Sequence, residues 1–258
     1  MRALPRLMVA PNGARRGKAD HPALPITLPE TTATARACFD AGADGLHLHL
    51  RDDEGRHLLD TGRYAEALAE LARTVPGMAV QITTETAGRY APPHQRRVAL
   101  DSGADMVSVS IREITEGQDR ATTAAFFEDC AAAGIAVQHI LYDRGDIALL
   151  CDMLPEALLR APNLQVIHVL GRHANRQESD PADLDPFLTE MARRGLAPDW
   201  AACAFGRAET ACLVSAHERG GKCRVGFENS LWHADGSLAR DNADRVTALR
   251  RALAALPA

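Results

Sequence analysis

Aromatic residues are scarce in this chain. Phe, Tyr and Trp make up 4% of its 258 residues. Sandwich sheets lean on aromatic and β-branched packing, so the shortage, beside abundant alanine, favours closely packed helices. No apolar run nears the ~18 residues of a membrane span. The opening MRALPRLMVAPNG has too short an apolar stretch for a signal peptide, and its Asn-Gly turn reads as part of the fold. The six cysteines form no CxxC pair, which implies reduced, structural thiols and a cytoplasmic setting. There is no block of like charge, so nothing suggests a nucleic-acid tail. The formal net charge is −5, and an anionic substrate has to be met by local arginines against it. No GxGxxG, GxxxxGK or GxSxG occurs, which removes the nicotinamide, P-loop and nucleophile-elbow signatures.

What is present is a repeat. Short β-prone segments fall at 7–10, 44–50, 78–84, 105–111, 135–142, 164–170, 200–206 and 223–228. Alanine-rich helical stretches separate them; in the first, Thr32, Ala35 and Phe39 share a side. DAGAD, DSGAD and AAAGI recur as similar helix-to-strand turns. Eight strand–helix units without a composition break predict an α/β fold, a TIM (β/α)8 barrel, over an open doubly wound sheet. A single domain over 1–258 matches the ~250 residues such a barrel needs. The longest non-repetitive stretches follow strand ends: APNGARRGKADHPALP, the ETAGRYAPP region and LGRHANRQESDPADLD. A barrel places its active site at those ends.

The run GADGLHLHLRD sets His47 and His49 two apart in an apolar segment, and residues i and i+2 of a strand share a face. Two imidazoles side by side make a metal pair; the alternative is two satisfied core histidines. Glu228, in CRVGFEN, is the third ligand if strand eight keeps period two with Arg224 and Gly226. Strands two and eight flank strand one in a closed barrel, so their top ends converge. Two imidazoles and a carboxylate suit a divalent ion, zinc best. Arg224 is a candidate anion partner through its planar fork, or else half of a salt bridge inside the barrel. Ser108 and Ser110 share a face and can donate to a carboxylate. His21, His57, His94, His217 and His233 read as surface or loop residues. His139 and His168 lie in strands, in structural or supporting roles. His173 follows strand six beside Arg172, and Arg207 follows strand seven; both are placed to reach a bound cofactor.

At these residues the chain resembles the β-keto acid cleavage enzymes, whose founding activity cleaves 3-keto-5-aminohexanoate. PNGARRGKADHPALP, AGADGLHLHLRDDEGRH, QITTETAGRY and VGFENSLWHADGSLARDNADRV carry the resemblance over nearly the whole chain. It implies a zinc-binding TIM barrel, usually a homotetramer, that joins a β-keto acid with acetyl-CoA to yield acetoacetate and a new acyl-CoA. By resemblance the metal ligands are His47, His49 and Glu228. Arg224 polarises the substrate, and Ser108, Ser110 and Thr84 bind it.

Some residues depart from the family pattern. The residue after the metal glutamate is usually an aspartate held to be the base; here it is Asn229, and an amide cannot accept a proton at neutral pH. Two glutamates that bind the founding substrate's amino group match Asn12 and Gln138, so a keto acid bearing an ammonium group is disfavoured. Glu85 stands where the family often has glycine. It becomes the expected base, ionised beside an arginine and a metal unless it only pairs with Arg89 or Arg51. Two further readings remain open: a related metal-dependent lyase or hydrolase that does not use CoA, and a non-catalytic barrel that binds a carboxylate.

Overall fold

The computed structural model describes residues 1–174 and 177–257; Asn175 and Arg176, within the stretch after the sixth predicted strand, lie outside them. Ten strands are present among the described residues. They are β1 (Leu7–Val9), β2 (Gly45–Leu48), β3 (Leu50–Arg51), β4 (His57–Leu58), β5 (Ala79–Thr83), β6 (Met106–Ser110), β7 (Ala136–Leu141), β8 (Gln165–Leu170), β9 (Asp199–Ala204) and β10 (Lys222–Val225). Eight of them close into a parallel barrel in the order β1-β10-β9-β8-β7-β6-β5-β2. All eight expected strands are there, and the fold is the α/β TIM barrel. The antiparallel hairpin of β3 and β4 was not anticipated, because each strand is two residues long and carries no readable alternation. Strand eight is shorter than expected, ending at Val225 rather than at Glu228.

Local signals explain the helices between the strands. Thr27 caps the helix Leu28–Asp40 through a capping box with Glu30, and Pro29 sits in its first turn. Asp60, Asp119, Asp143 and Asp241 cap later helices with their carboxylates. Gly42, Gly103 and Gly134 take φ of +104°, +76° and +74° in the three look-alike turns, a conformation that glycine adopts without strain. No helix among the described residues is long and apolar enough to cross a membrane.

Strand alternation divides the core in two. Leu46, Leu48, Val80, Ile82, Val107, Val109, Val166 and Val225 pack outward with helix residues such as Tyr64, Ala67 and Leu71. Met106, Ala136, Ile140, Ile167, Val169, Ala201, Cys203 and Phe205 form a smaller cluster inside the barrel. The intervening residues of β2, β5 and β10 replace apolar filling with His47, Gln81 and Arg224 at that level. His139 faces the helices, edge-on to Phe127 at 4.9 Å; His168 sits between Phe187 and Trp200 at 4.7 and 5.5 Å. Both strand histidines are therefore structural. Burial pushes each of them down to about 3, so both are neutral.

This parity generates a test. Leu46→Ala removes a fully buried outward side chain next to His47 and should cost ~2–5 kcal/mol of unfolding free energy. Metal content at saturation should be unchanged, because the neighbouring imidazole faces the other way. Denaturant unfolding and metal analysis on the same preparation check both halves.

Candidate metal centre

β1 lies between β2 and β10, and Met8 is register partner to both Gly45 and Arg224. Closure therefore sets the ends of β2 and β10 on either side of β1. His47 comes from β2, and His49 from the residue between β2 and β3. Their Nε2 atoms are 3.1 Å apart. Glu228 Oε2 lies 3.7 Å from the first and 3.6 Å from the second. A tetrahedral ion ~2.0–2.1 Å from each donor needs neighbouring donors ~3.3 Å apart. The observed triangle fits that spacing, and Glu228 Oε2 has no hydrogen-bond partner. The two histidines and the glutamate form a site able to chelate a divalent ion.

A chain of amides decides which nitrogen of His47 is free. The Val166 carbonyl can only accept, so Gln138 Nε2 donates to it at 3.3 Å. Gln138 Oε1 then accepts from Gln81 Nε2 at 3.0 Å, and Gln81 Oε1 accepts from His47 Nδ1 at 2.8 Å. His47 Nδ1 carries the proton, and Nε2 presents its lone pair to the site. Burial, helped by Arg224, pushes His47 down to about 4, and burial with His47 beside it pushes His49 well down. Both are neutral imidazoles, the ligand form. Burial alone would raise the Glu228 carboxyl. Arg224, with Arg172 and Arg16, outweighs it and holds Glu228 below the usual carboxylate range.

Glu228 is not on a strand. It sits in a turn after β10, so the face it shares with Arg224 owes nothing to period two. Arg224 Nη2 donates instead to Glu228 Oε1 at 3.3 Å, four residues on. The turn is built from buried polar groups. Gly226 takes φ +141°, where a side chain would press on the Ala10 carbonyl at 2.4 Å. Its N–H donates to Glu209 Oε1 at 3.2 Å, and Phe227 N–H donates to Asn242 Oδ1 at 2.9 Å. Asn242 Nδ2 returns to the Pro11 carbonyl at 3.0 Å, which ties the turn to the end of β1. Arg245 pairs with Glu209, both side chains fully buried. The DNADRV segment thus supplies, through Asn242 and Arg245, the frame behind the metal glutamate.

The cavity over this centre is walled by Asn12, His47, Thr83, Glu85, Ser110 and Arg224, with an apolar side at Ile140, Val169 and Phe205. Arg15, Arg16 and Arg172 also line it. Asn12 donates to the Pro25 and His49 carbonyls at 3.0 and 3.3 Å and leaves Oδ1 without a partner. Ser110 Oγ likewise has no partner. Glu85 pairs with Arg172 at 3.8 Å, not with Arg89 or Arg51. Arg51 is committed to loop carbonyls, including that of Gly13 at 3.0 Å. Burial, then the nearby charges of Glu228 and Glu113, push Glu85 up to about 7 despite Arg172 and Arg15. Desolvation and these two carboxylates outweigh the arginines at this position.

Other expected site residues lie elsewhere. Thr84 turns away from the cavity, its hydroxyl donating to the Ser108 carbonyl at 2.9 Å; Thr83 lines the wall in its place. Counting by two from Gln81, the register partner of His47, reaches Thr83 and would have shown this. Neither Ser108 nor Gln138 lines the cavity, and Gln138 serves His47 through Gln81. Asn229 is fully buried off the wall, with both amide atoms unpartnered. His173 is an exposed residue edge-on to Tyr142 at 4.9 Å, and Arg207 stacks over Trp232 at 4.7 Å; neither lines the cavity. Asp143, at the end of the fifth barrel strand in the sequence, caps the helix Arg144–Met153 and pairs with Arg112. His57 and His21, read as ordinary loop residues, are both buried. The β3–β4 hairpin brings His57 to 5.2 Å from the His49 ring and bonds its Nε2 to the Glu85 carbonyl at 2.7 Å.

A family model for β-keto acid cleavage enzymes matches residues 6–258. The chain belongs to the β-keto acid cleavage enzyme family. It is 28% identical to the 3-oxoadipate:acetyl-CoA acetyltransferase of Cupriavidus necator, covering 93% of this chain and 85% of the relative. Identity to the 3-keto-5-aminohexanoate cleavage enzyme of Fusobacterium nucleatum is 26%, covering 91% and 85%. Among solved structures, ObcA in a ternary complex with a C4-CoA adduct and oxalate superposes with a TM-score of 0.67 at 16% identity. That match covers 90% of this chain and 64% of ObcA, and at such identity it supports the barrel fold alone.

Removing one ligand should empty the site. His49→Ala is expected to lose most bound metal and nearly all turnover while the barrel stays folded. Gln81→Leu keeps all three ligands but frees the His47 tautomer, and should weaken metal affinity ~10- to 100-fold. Chelator competition, read by metal analysis, checks both; stoichiometric metal in a His47–His49 double alanine variant contradicts the assignment.

Proposed function

We propose that this chain is a zinc-dependent β-keto acid cleavage enzyme. It condenses a β-keto acid with acetyl-CoA and releases acetoacetate and a new acyl-CoA. The observation that carries the reading is the buried His47–His49–Glu228 triangle beside Arg224 on one wall of an arginine-lined cavity, in a chain of this family. Nitrogen-rich ligation favours zinc. The Cupriavidus necator relative is named for acetyl-CoA, as is the 3,5-dioxohexanoate:acetyl-CoA acetone transferase of Paraburkholderia graminis, 25% identical over 281 residues. The same reading takes 1–258 as one catalytic domain, working as a cytoplasmic homotetramer.

When bound, zinc supplies Lewis-acid polarisation of a keto oxygen. The chain's own groups do the rest. Ser110 and Thr83 offer hydroxyls to the substrate carboxylate, and Asn12 holds the loop over the metal side. Arg224 has a buried Nε without a partner, free to meet negative charge as it develops. Glu85 is the base. Its carboxyl, pushed up to about 7, suits proton transfer near neutral pH. It removes a proton from the carbon between the keto and carboxylate groups. That carbon attacks the thioester carbonyl of acetyl-CoA, and the CoA thiolate leaves. The thiolate then adds to the original keto carbon, whose bond to the central carbon breaks. The central carbon takes a proton back, giving acetoacetate and the new acyl-CoA. Asn229 takes no part in proton transfer, since an amide has no basic site at this pH.

Glu85→Gln should lower kcat ~10²–10⁴-fold, the range for a positioned base, with metal content unchanged. The backbone carbonyl that His57 needs survives the change. Stopped assays with acetyl-CoA, read by mass, report acetoacetate and acyl-CoA together. Near-normal kcat in the variant removes Glu85 as base, and keto-acid turnover without acyl-CoA would overturn the proposed reaction.

A further inference from the structure

Glu85 lies between the end of β5 at Thr83 and the helix Pro92–Asp101, on no regular element of its own. Two left-handed residues follow it, Ala87 at φ +48° and Gly88 at φ +75°. Such backbone persists only where surrounding contacts over-determine it. On one side those contacts come from the helices that follow β5 and β6. Gln95 Nε2 donates to the Thr84 carbonyl at 2.7 Å, and Thr86 N–H donates to Glu113 Oε2 at 2.9 Å. The Glu85 carbonyl is held from the other side. His57 Nε2 donates to it at 2.7 Å, and no other donor meets it among the described residues.

The hairpin that supplies this donor also starts from a metal ligand. His49 directly precedes β3, and His57 opens β4 as the register partner of Arg51. The His57 and His49 rings are 5.2 Å apart at their centroids. Further bonds join the hairpin to the segment after Glu85. The His57 carbonyl accepts from Arg89 and from the Tyr90 hydroxyl, the latter at 3.4 Å, and His94 Nε2 donates to the Leu59 carbonyl at 2.8 Å. These bonds end on backbone oxygens of the hairpin, so they persist whatever side chain stands at position 57. The imidazole adds what they do not: it ties Glu85 itself to the element that carries His49.

We propose that His57 is a positioning residue, its Nε2–H holding the Glu85 carbonyl so that the Glu85 carboxyl keeps a fixed place relative to the metal ligands. This rests on the reading that Glu85 is the base. A base must lie within hydrogen-bond reach of the proton it takes, and a misplacement of ~1 Å can cost ~10²-fold in rate. Glu85 enters the cavity from an irregular segment, so strand geometry does not set that distance. The tether on its own carbonyl does.

Two substitutions separate the donor from the ring. His57→Phe keeps an aromatic ring and loses the donor, whereas His57→Gln loses the ring and keeps a donor at Nε2. His57→Phe should lower kcat ~10- to 100-fold. Its KM for the keto acid, and its zinc affinity by chelator competition, should stay unchanged. His57→Gln should bring kcat back close to that of the unaltered protein. In a Glu85→Gln background His57→Phe should change kcat no further, because a residue acting through the base has nothing left to position. Losses that multiply in the double variant overturn the proposal, since a general disturbance of the fold predicts them. A fall in zinc affinity in His57→Phe overturns it too, because the imidazole then serves His49. Near-normal kcat in His57→Phe beside an impaired Glu85→Gln overturns it while leaving Glu85 as the base. Near-normal kcat in Glu85→Gln removes the base, and this role for His57 with it. If His57→Phe does not fold, His57→Gln decides alone: a folded, zinc-loaded variant that still loses ~10²-fold in kcat overturns the proposal, because its donor is intact.

Discussion

Barrel closure through β1 is the constraint on which the site depends. β1 is three residues long, yet it pairs in parallel with β2 on one side and β10 on the other. Without it, ligands nearly 180 residues apart in sequence would have no reason to meet. Period two then does the sorting: the same strand that gives Leu46 and Leu48 to the helices gives His47 to the barrel mouth. One register slip would bury the leucines in the cavity and turn the imidazole against a helix.

The mouth of the barrel concentrates charge that a folded interior ordinarily excludes, and the surrounding polar network makes this tolerable. Glu209 and Arg245 are wholly buried and lie behind the Glu228 turn. Such a pair stabilises little relative to apolar packing, because desolvation offsets its attraction. Its value here is positional: Glu209 also accepts from Gly226, and Asn242 clasps Phe227 and Pro11. The Gln81–Gln138 relay plays the matching part for His47. His47 and the Glu228 turn thus each stand on a hydrogen-bonded frame that aims a free lone pair into the site.

The cavity joins two electrostatic regimes. At the metal end, burial keeps the imidazoles neutral, and surrounding cations keep Glu228 ionised. A few residues away, burial and two neighbouring carboxylates leave Glu85 close to half-protonated near neutral pH. The same cavity thus drives two carboxyl groups in opposite directions, Glu228 down and Glu85 up. Of the cations that line the rest of the cavity, Arg172 pairs with Glu85, and Arg172 and Arg16 help to keep Glu228 ionised.

Much of this was legible in the chain. Strand spacing, glycine-closed turns and the absence of any composition break determine the barrel, because helix and strand periods are local properties of the residues. The His-x-His pair is legible for the same reason, and with RVGFE and DNADRV it carries the family. What lay beyond the sequence depends on where strands stop and how deep each layer lies. Glu228 joins the site from a turn, not from a strand face. Thr83 replaces Thr84 at the wall, while Ser108 and Gln138 stay off it. Loop paths take His173 and Arg207 outward and bring Arg172 in. The protonation of Glu85 is a tertiary property altogether, since its neighbours Glu228 and Glu113 and the water it has lost are brought together, or excluded, only by folding.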